Sequence, residues 1–248
     1  MKTLLLATAL LLSAAGTAGA AETNIAVAAN FTEPAKEIAK AFEAKTGHKA
    51  VLSFGATGQF YAQIKQDAPF TVFLAADDTT PAKAVDEGLA VAESRFTYAV
   101  GRLVLWSKDP KKVGGEETLR TGIFEKVAIA NPATAPYGAA AVQTMKKMGV
   151  YDSLQAKLVQ GNSIAQAYQF VETGNAEVGF VALSQVIVRN EGSCWPVPDL
   201  LHEPIRQDAV LLKKGAGDEA AKAFLAFLKG PEAGAVIARY GYGTAAIN

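Results

Sequence analysis

The stretch Ile25-Ala26-Val27-Ala28-Ala29-Asn30-Phe31-Thr32-Glu33-Pro34 constrains the chain most: a short apolar run passes through small residues directly into a helical repeat. Ala35, Ile38, Ala39 and Phe42 recur at helical spacing, while Glu33, Lys36, Glu37, Lys40 and Glu43 take the other face. Such a helix has to lay its apolar stripe on a sheet, so the unit is strand, turn, helix. Thr32 is the expected cap and Pro34 suits the first turn, which predicts free N–H groups near Asn30 and Phe31 beyond the strand's carboxyl end. A helix start of this kind is suited to an anion.

The unit recurs. Residues 49–54 form a second strand, Gly55-Ala56-Thr57-Gly58 a turn, and Phe60, Tyr61 and Ile64 the inner side of the next helix. Residues 70–76 read as a buried strand, and Thr80-Pro81 opens a helix that Gly88 closes. The apolar run 96–107 is long enough to cross from one lobe to another. Beyond it come a strand at 127–130, a turn at 131–138, and a helix with Ala141, Val142, Met145 and Met148 inside. Gly161-Asn162-Ser163 then leads to a helix with Ile164, Ala167, Tyr168 and Val171 at i, i+3, i+4, i+7, capped by Asn162 or Ser163. A strand at 178–183, a return crossing at 209–212 and two closing helices complete the pattern. The fold class is α/β, in two lobes whose sheets are mostly parallel and flanked by helices, with the ligand in the interlobe cleft. Lobe one is placed at 21–100 plus 206–248, and lobe two at 101–205.

Met1-Lys2, the run 4–12 and Ala18-Gly19-Ala20 give a charged tip, a short apolar core and small residues for cleavage. Residues 1–20 are therefore read as a secretory signal peptide, with the mature chain beginning near Ala21. An uncleaved anchor is the competing reading; a lipoprotein would need a Cys at the cleavage point, and the one Cys is Cys194. Lys+Arg and Asp+Glu both number 24, without a block of like charge, which leaves no footprint for nucleic acid. One Cys excludes an internal disulfide, and His48 and His202 alone do not make a zinc or copper cluster. Cys194, beside Trp195 and Pro196 in a loop-like run, is expected to be a buried inert thiol.

Four turns are predicted to converge on the cleft, at 29–31, 56–58, 136–138 and 162–164, because open α/β sheets bind ligands beyond the carboxyl ends of their strands. They hold small residues, hydroxyls and an amide, and no Lys, Arg, Asp or Glu before Glu33. Each helix start carries roughly half a positive charge and several unpaired donors, so four around one point can neutralise a small dianion. A site of donors without a carboxylate favours a fully deprotonated oxyanion over one carrying a proton.

These residues also resemble a family. The run 25–31, Ser53-Phe54-Gly55-Ala56-Thr57-Gly58, Pro136-Tyr137-Gly138, Asn162-Ser163-Ile164, and the closing Leu228-Lys229-Gly230-Pro231-Glu232-Ala233 with Arg239-Tyr240-Gly241 are similar to the periplasmic molybdate-binding proteins of ABC transporters. The similarity covers nearly the whole mature chain in order. It implies a type II periplasmic binding protein fold that closes on molybdate or tungstate and delivers it to a membrane permease, as a monomer, without enzymatic activity or cofactor. By position it implies oxyanion contacts from Asn30 and Thr57 in one lobe and from Tyr137 and Ile164 in the other, with Ala29 or Phe31 adding backbone. The metal is held as its oxyanion, without direct protein ligands. Family members often carry Ser where this chain has Asn30 and Thr57, and some donate from a Tyr where it has Ala182.

The mechanism expected is a hinged trap swinging on the crossings 99–104 and 204–210, with size separating molybdate from sulfate. Glu33, Asp77 and Asp78 on the rims are candidates to meet the permease, although a solvated surface accounts for each. One rival is another ligand, such as sulfate, a small organic anion or ferric ion, the last wanting phenolates or carboxylates that these turns lack. The other is a serine hydrolase, since Gly161-Asn162-Ser163-Ile164-Ala165 approaches a nucleophile elbow and His202 follows in hydrolase order. That elbow lacks its final Gly and the oxyanion-hole motif is absent.

Overall fold

The computed structural model describes residues 20–189 and 191–243, so the segment read as a signal peptide lies outside the described residues except for Ala20. Among the described residues no helix is long and apolar enough to cross a membrane.

The chain builds two five-stranded sheets. The first is ordered β2-β1-β3-β10-β4 from β1 (Glu22–Ala28), β2 (Lys49–Gly55), β3 (Val72–Leu74), β4 (Phe96–Gly101) and β10 (Ile205–Leu211). The second is ordered β7-β6-β8-β5-β9 from β5 (Leu103–Ser107), β6 (Val127–Ala130), β7 (Leu158–Gly161), β8 (Val178–Ala182) and β9 (Ser193–Pro196). Each sheet is mixed rather than mostly parallel, with two parallel pairings followed by two antiparallel ones. The antiparallel half arises where the chain crosses between sheets, because β4 and β10, like β5 and β9, have no helical crossover to bring them back in the same direction.

The helices flanking the first sheet are α1 (Thr32–Thr46), α2 (Thr57–Lys65), α3 (Thr79–Asp86), α9 (Glu219–Leu228) and α10 (Pro231–Arg239). Those around the second are α4 (Glu117–Thr121), α5 (Pro136–Lys147), α6 (Tyr151–Leu154), α7 (Ile164–Glu172) and α8 (Leu183–Val186). Alternation along β1 explains the first layer arrangement. Ile25 and Val27 pack with Phe31, Ile38, Phe42 and Phe224 on one face, while Ala26 packs with Phe60, Phe73 and Val210 on the other. The rings of Phe42 and Phe224 meet edge to face at 5.3 Å, joining α1 to α9.

Four local expectations change. Thr32 is the first residue of α1 rather than its cap, and its hydroxyl turns back to the Ala29 carbonyl at 2.8 Å. A 3-10 turn over Ala29–Phe31 takes up the strand-to-helix bend that a capping residue would have made. The run 96–107 is interrupted at Arg102, with β4 in one sheet and β5 in the other. Only Val72–Leu74 of 70–76 pairs as strand. Cys194 lies exposed on edge strand β9 instead of buried in a loop, because strand alternation turns it outward.

Candidate functional site

Four strand-to-helix turns converge. β1 ends in the 3-10 turn Ala29–Phe31, β2 runs into α2 at Thr57, Ala135 precedes α5, and Ser163 precedes α7. The first residues of a helix have no intrahelical acceptor, so the N–H groups of Asn30, Thr57, Tyr137 and Ile164 remain donors. The i to i+3 pattern returns the Phe31 N–H to Ala28, which leaves Ala29 and Asn30 as the free pair of the first turn.

Ala29, Asn30, Thr57, Tyr137 and Ile164 line a single small cavity, completed by Ala28, Gly55, Ala56, Ala76, Ala135 and Pro136. No charged side chain lines it. Its volume is about 10 Å³, against about 310 and 350 Å³ for the clefts on either side, which share Ala76, Ala135 and Pro136, and Ala29 and Asn30, with it. Phe31 does not line it: its ring is buried edge to face against Tyr98 and Tyr242. Ala182 is buried at the end of β8 and is absent from the wall.

The side chains are held in defined roles. Thr57, 1% exposed, accepts from the Ala76 N–H at 2.9 Å, so its hydroxyl proton is left to donate. The Asn30 amide, 2% exposed, lies 2.9 Å from the Gln207 amide and 3.0 Å from the Tyr242 hydroxyl. The Asn30 carbonyl accepts from Ser184 Oγ and from Tyr242, both at 2.8 Å. Ser163 Oγ caps α7 by accepting from the Gln166 N–H at 3.4 Å.

Sequence reading missed the support behind this cavity. Tyr98, Tyr137, Gln207, Tyr242 and Ser184 form one buried polar network around Asn30. A Cβ on Gly101 would lie 2.1 Å from the Tyr137 hydroxyl and 2.6 Å from Gln207 Nε2, so only glycine lets these groups meet. Burial pushes the Tyr98, Tyr137 and Tyr242 phenols up, so all three are protonated at neutral pH. One signal was available: Arg206, Gln207 and Asp208 put three polar residues in a row within the strand Ile205–Leu211, more than alternation alone would turn outward.

The hydrolase pair does not assemble. Ser163 Oγ is engaged as a helix cap, while His202 Nδ1 lies 2.7 Å from the Glu203 carbonyl and its Nε2 is buried without a hydrogen-bond partner. Of the rim acids, Asp77 and Asp78 line the 310 Å³ cleft beside the cavity, and Glu33 the 350 Å³ cleft.

Comparison with known proteins places the family and agrees with the fold. Residues 23–243 match the family of bacterial extracellular solute-binding proteins. The molybdate-binding protein ModA of Rhodobacter capsulatus is 59% identical over 238 residues, covering 96% of this chain and 94% of that protein. Its Azotobacter vinelandii counterpart is 60% identical over 230 residues, covering 91% of each. The solved periplasmic molybdate-binding protein of Azotobacter vinelandii superposes with a TM-score of 0.87 at 39% identity, over 90% of this chain and 99% of that one. These relatives are substrate-binding proteins and not enzymes, which sets the hydrolase reading aside. The chain belongs to the ModA family of bacterial extracellular solute-binding proteins.

Proposed function

We propose that this protein binds molybdate, and tungstate with it, in the periplasm and hands the oxyanion to an ABC permease. The observation that carries the reading is the cavity of helix-start donors without a charged side chain, in a chain 59% identical to a molybdate-binding protein. Asn30, Thr57, Tyr137 and Ile164 are the proposed contacts, chiefly through backbone N–H groups, with the Thr57 hydroxyl and the Asn30 amide adding side-chain donors and Ala29 adding backbone. Such donors are already fixed by their helices, so binding a dianion costs little reorganisation.

The lobes are proposed at 21–100 plus 206–248 and at 101–205, moving as a monomer behind a signal peptide at 1–20. Support for the division comes from the two passages between sheets, at Arg102 and between Pro196 and Ile205. The anion draws the lobes together because it takes donors from both and so binds the closed form better. Selectivity against sulfate is assigned to cavity size, since charge and acceptor number are the same. Ferric ion is disfavoured: the phenols nearby are held protonated by burial, and no carboxylate lines the cavity.

Thermal unfolding of the mature chain with molybdate, tungstate, sulfate and phosphate tests the reading. A ligand at a hundred times its Kd adds about 2.7 kcal/mol, a rise of roughly 5–11 °C for this size. A rise with the first two anions and little with the others is expected. A rise with sulfate alone would transfer the site to that anion, and none with any of the four would end the oxyanion reading.

A further inference from the structure

We propose that Gln207 is a positioning residue for oxyanion binding: aligned by Tyr98, it holds the Asn30 amide with Nδ2 toward the cavity. The inference rests on the oxyanion site proposed above and adds the residue that sets its polarity. A carboxamide keeps its shape when O and N exchange, so protons decide which way each of two facing amides points.

In one register Asn30 Nδ2 donates to Gln207 Oε1 at 2.9 Å, and Gln207 Nε2 donates to the Tyr137 hydroxyl at 3.2 Å. The protons then fail to match at three points. Asn30 Oδ1 is buried without a partner. The single proton of Tyr98 faces two acceptors, the Ala75 carbonyl and Gln207 Oε1, each at 3.0 Å. Tyr137 accepts from Gln207 Nε2, with no acceptor for its own proton among the described hydrogen bonds. This register also leaves Oδ1, an acceptor, as the free side-chain atom of a residue that lines an anion cavity.

Turning both amides over together corrects the second and third, and at the first it exchanges an unpartnered acceptor for a free N–H donor. Gln207 Nε2 then donates to Asn30 Oδ1 and to the Tyr98 oxygen, Tyr98 gives its proton to Ala75, and Tyr137 donates to Gln207 Oε1. Asn30 Nδ2 becomes the group without an internal partner. In this register the one proton of Tyr242 turns to Asn30 Oδ1, 3.0 Å away, and the Asn30 backbone carbonyl keeps its bond from Ser184 Oγ. The Ala75 carbonyl can only accept, and is therefore the reference. It fixes Tyr98, Tyr98 fixes Gln207, and Gln207 fixes Asn30.

Calorimetric titration of the mature chain with molybdate tests this through a double-mutant cycle. The set is the unaltered chain, Gln207→Leu, Tyr98→Phe, Asn30→Ala, and each of the first two combined with Asn30→Ala. Gln207→Leu and Tyr98→Phe are expected to weaken binding by about ten- to a hundredfold, as for the loss of a hydrogen bond to a charged group. In the Asn30→Ala background each should cost less than about threefold, because the amide they align is gone. Unfolding without anion checks that each variant is folded. If Gln207→Leu is not, Gln207→Met replaces it: the thioether keeps the side chain's length and has no N–H to align Asn30, so binding should fall likewise. Unchanged affinity in the single variants, or equal losses with and without the Asn30 amide, would overturn the role of Gln207 while leaving the site. Failure of the unaltered chain to bind any of the four anions would overturn the site reading, and this role with it.

Discussion

The backbone N–H of Gly58 donates to the carbonyl of Thr134 at 2.9 Å, and a Cβ on Gly58 would stand 3.0 Å from the Thr134 Cα. Gly58 follows Thr57 at the start of α2, and Thr134 comes just before the start of α5, so this bond ties two of the four donor turns together across the two sheets.

Gly58→Ala should therefore separate stability from affinity. In the free protein alanine favours the helix by up to about 1 kcal/mol. Where the two turns meet as they do here, the backbone of Thr134 must retreat by a few tenths of an ångström, and on the proposed closure over the anion molybdate affinity should fall about tenfold, equivalent to about 1.4 kcal/mol. Unfolding midpoints with and without molybdate check this. The prediction is an unchanged or higher midpoint alone and a smaller ligand-induced rise; an undiminished rise would show that the two lobes do not need this approach.

Thr57 is predicted to act through its hydroxyl proton. Its oxygen already accepts from Ala76, so Thr57→Ser should retain affinity within about threefold, whereas Thr57→Val removes the donor and should weaken molybdate binding about ten- to a hundredfold. Thr57→Val also strands the buried Ala76 N–H, and should cost about 1–3 kcal/mol of stability without ligand. Equal affinities for the Ser and Val variants would mean that only the backbone of Thr57 meets the anion.

The acids beside the cavity make stability depend on pH. Burial raises the Asp77 carboxyl above its ordinary value of 3.8, against hydrogen bonds from the Thr80 N–H at 2.8 Å and hydroxyl at 3.0 Å. Burial also raises Asp208, opposed by Thr97 and Arg95. A carboxyl whose folded value lies above its unfolded one contributes stability that is fully present below about pH 3.8 and is lost as pH rises through the folded value. Asp77→Asn keeps an acceptor for the Thr80 N–H and removes the buried charge. Its midpoint should exceed that of the unaltered chain at pH 7, with the gap closing as pH falls toward 3.8. A gap independent of pH would assign the difference to packing instead.

How much was legible depended on the range of the interaction. Asn30, Thr57, Tyr137 and Ile164 could be picked out because a helix start is written locally, in a few small residues between an apolar run and a 3.6-residue repeat. Thr32 was assigned the wrong role because a 3-10 turn and a cap look alike in sequence. Cys194 was misplaced because a short edge strand carries too few residues to show its alternation.

Local periodicity and capping chemistry by themselves determined most of the strands and helices in their order, the passages between the two sheets and four helix starts without a charged side chain. Only the tertiary structure decided that each sheet is half antiparallel, that the four turns share one cavity, and that Gln207, 177 positions from Asn30, stands behind it. The reason is physical. Helix and strand periods come from contacts a few residues apart, whereas a buried amide is oriented by whichever proton donors and acceptors the completed fold brings within about 3 Å of it.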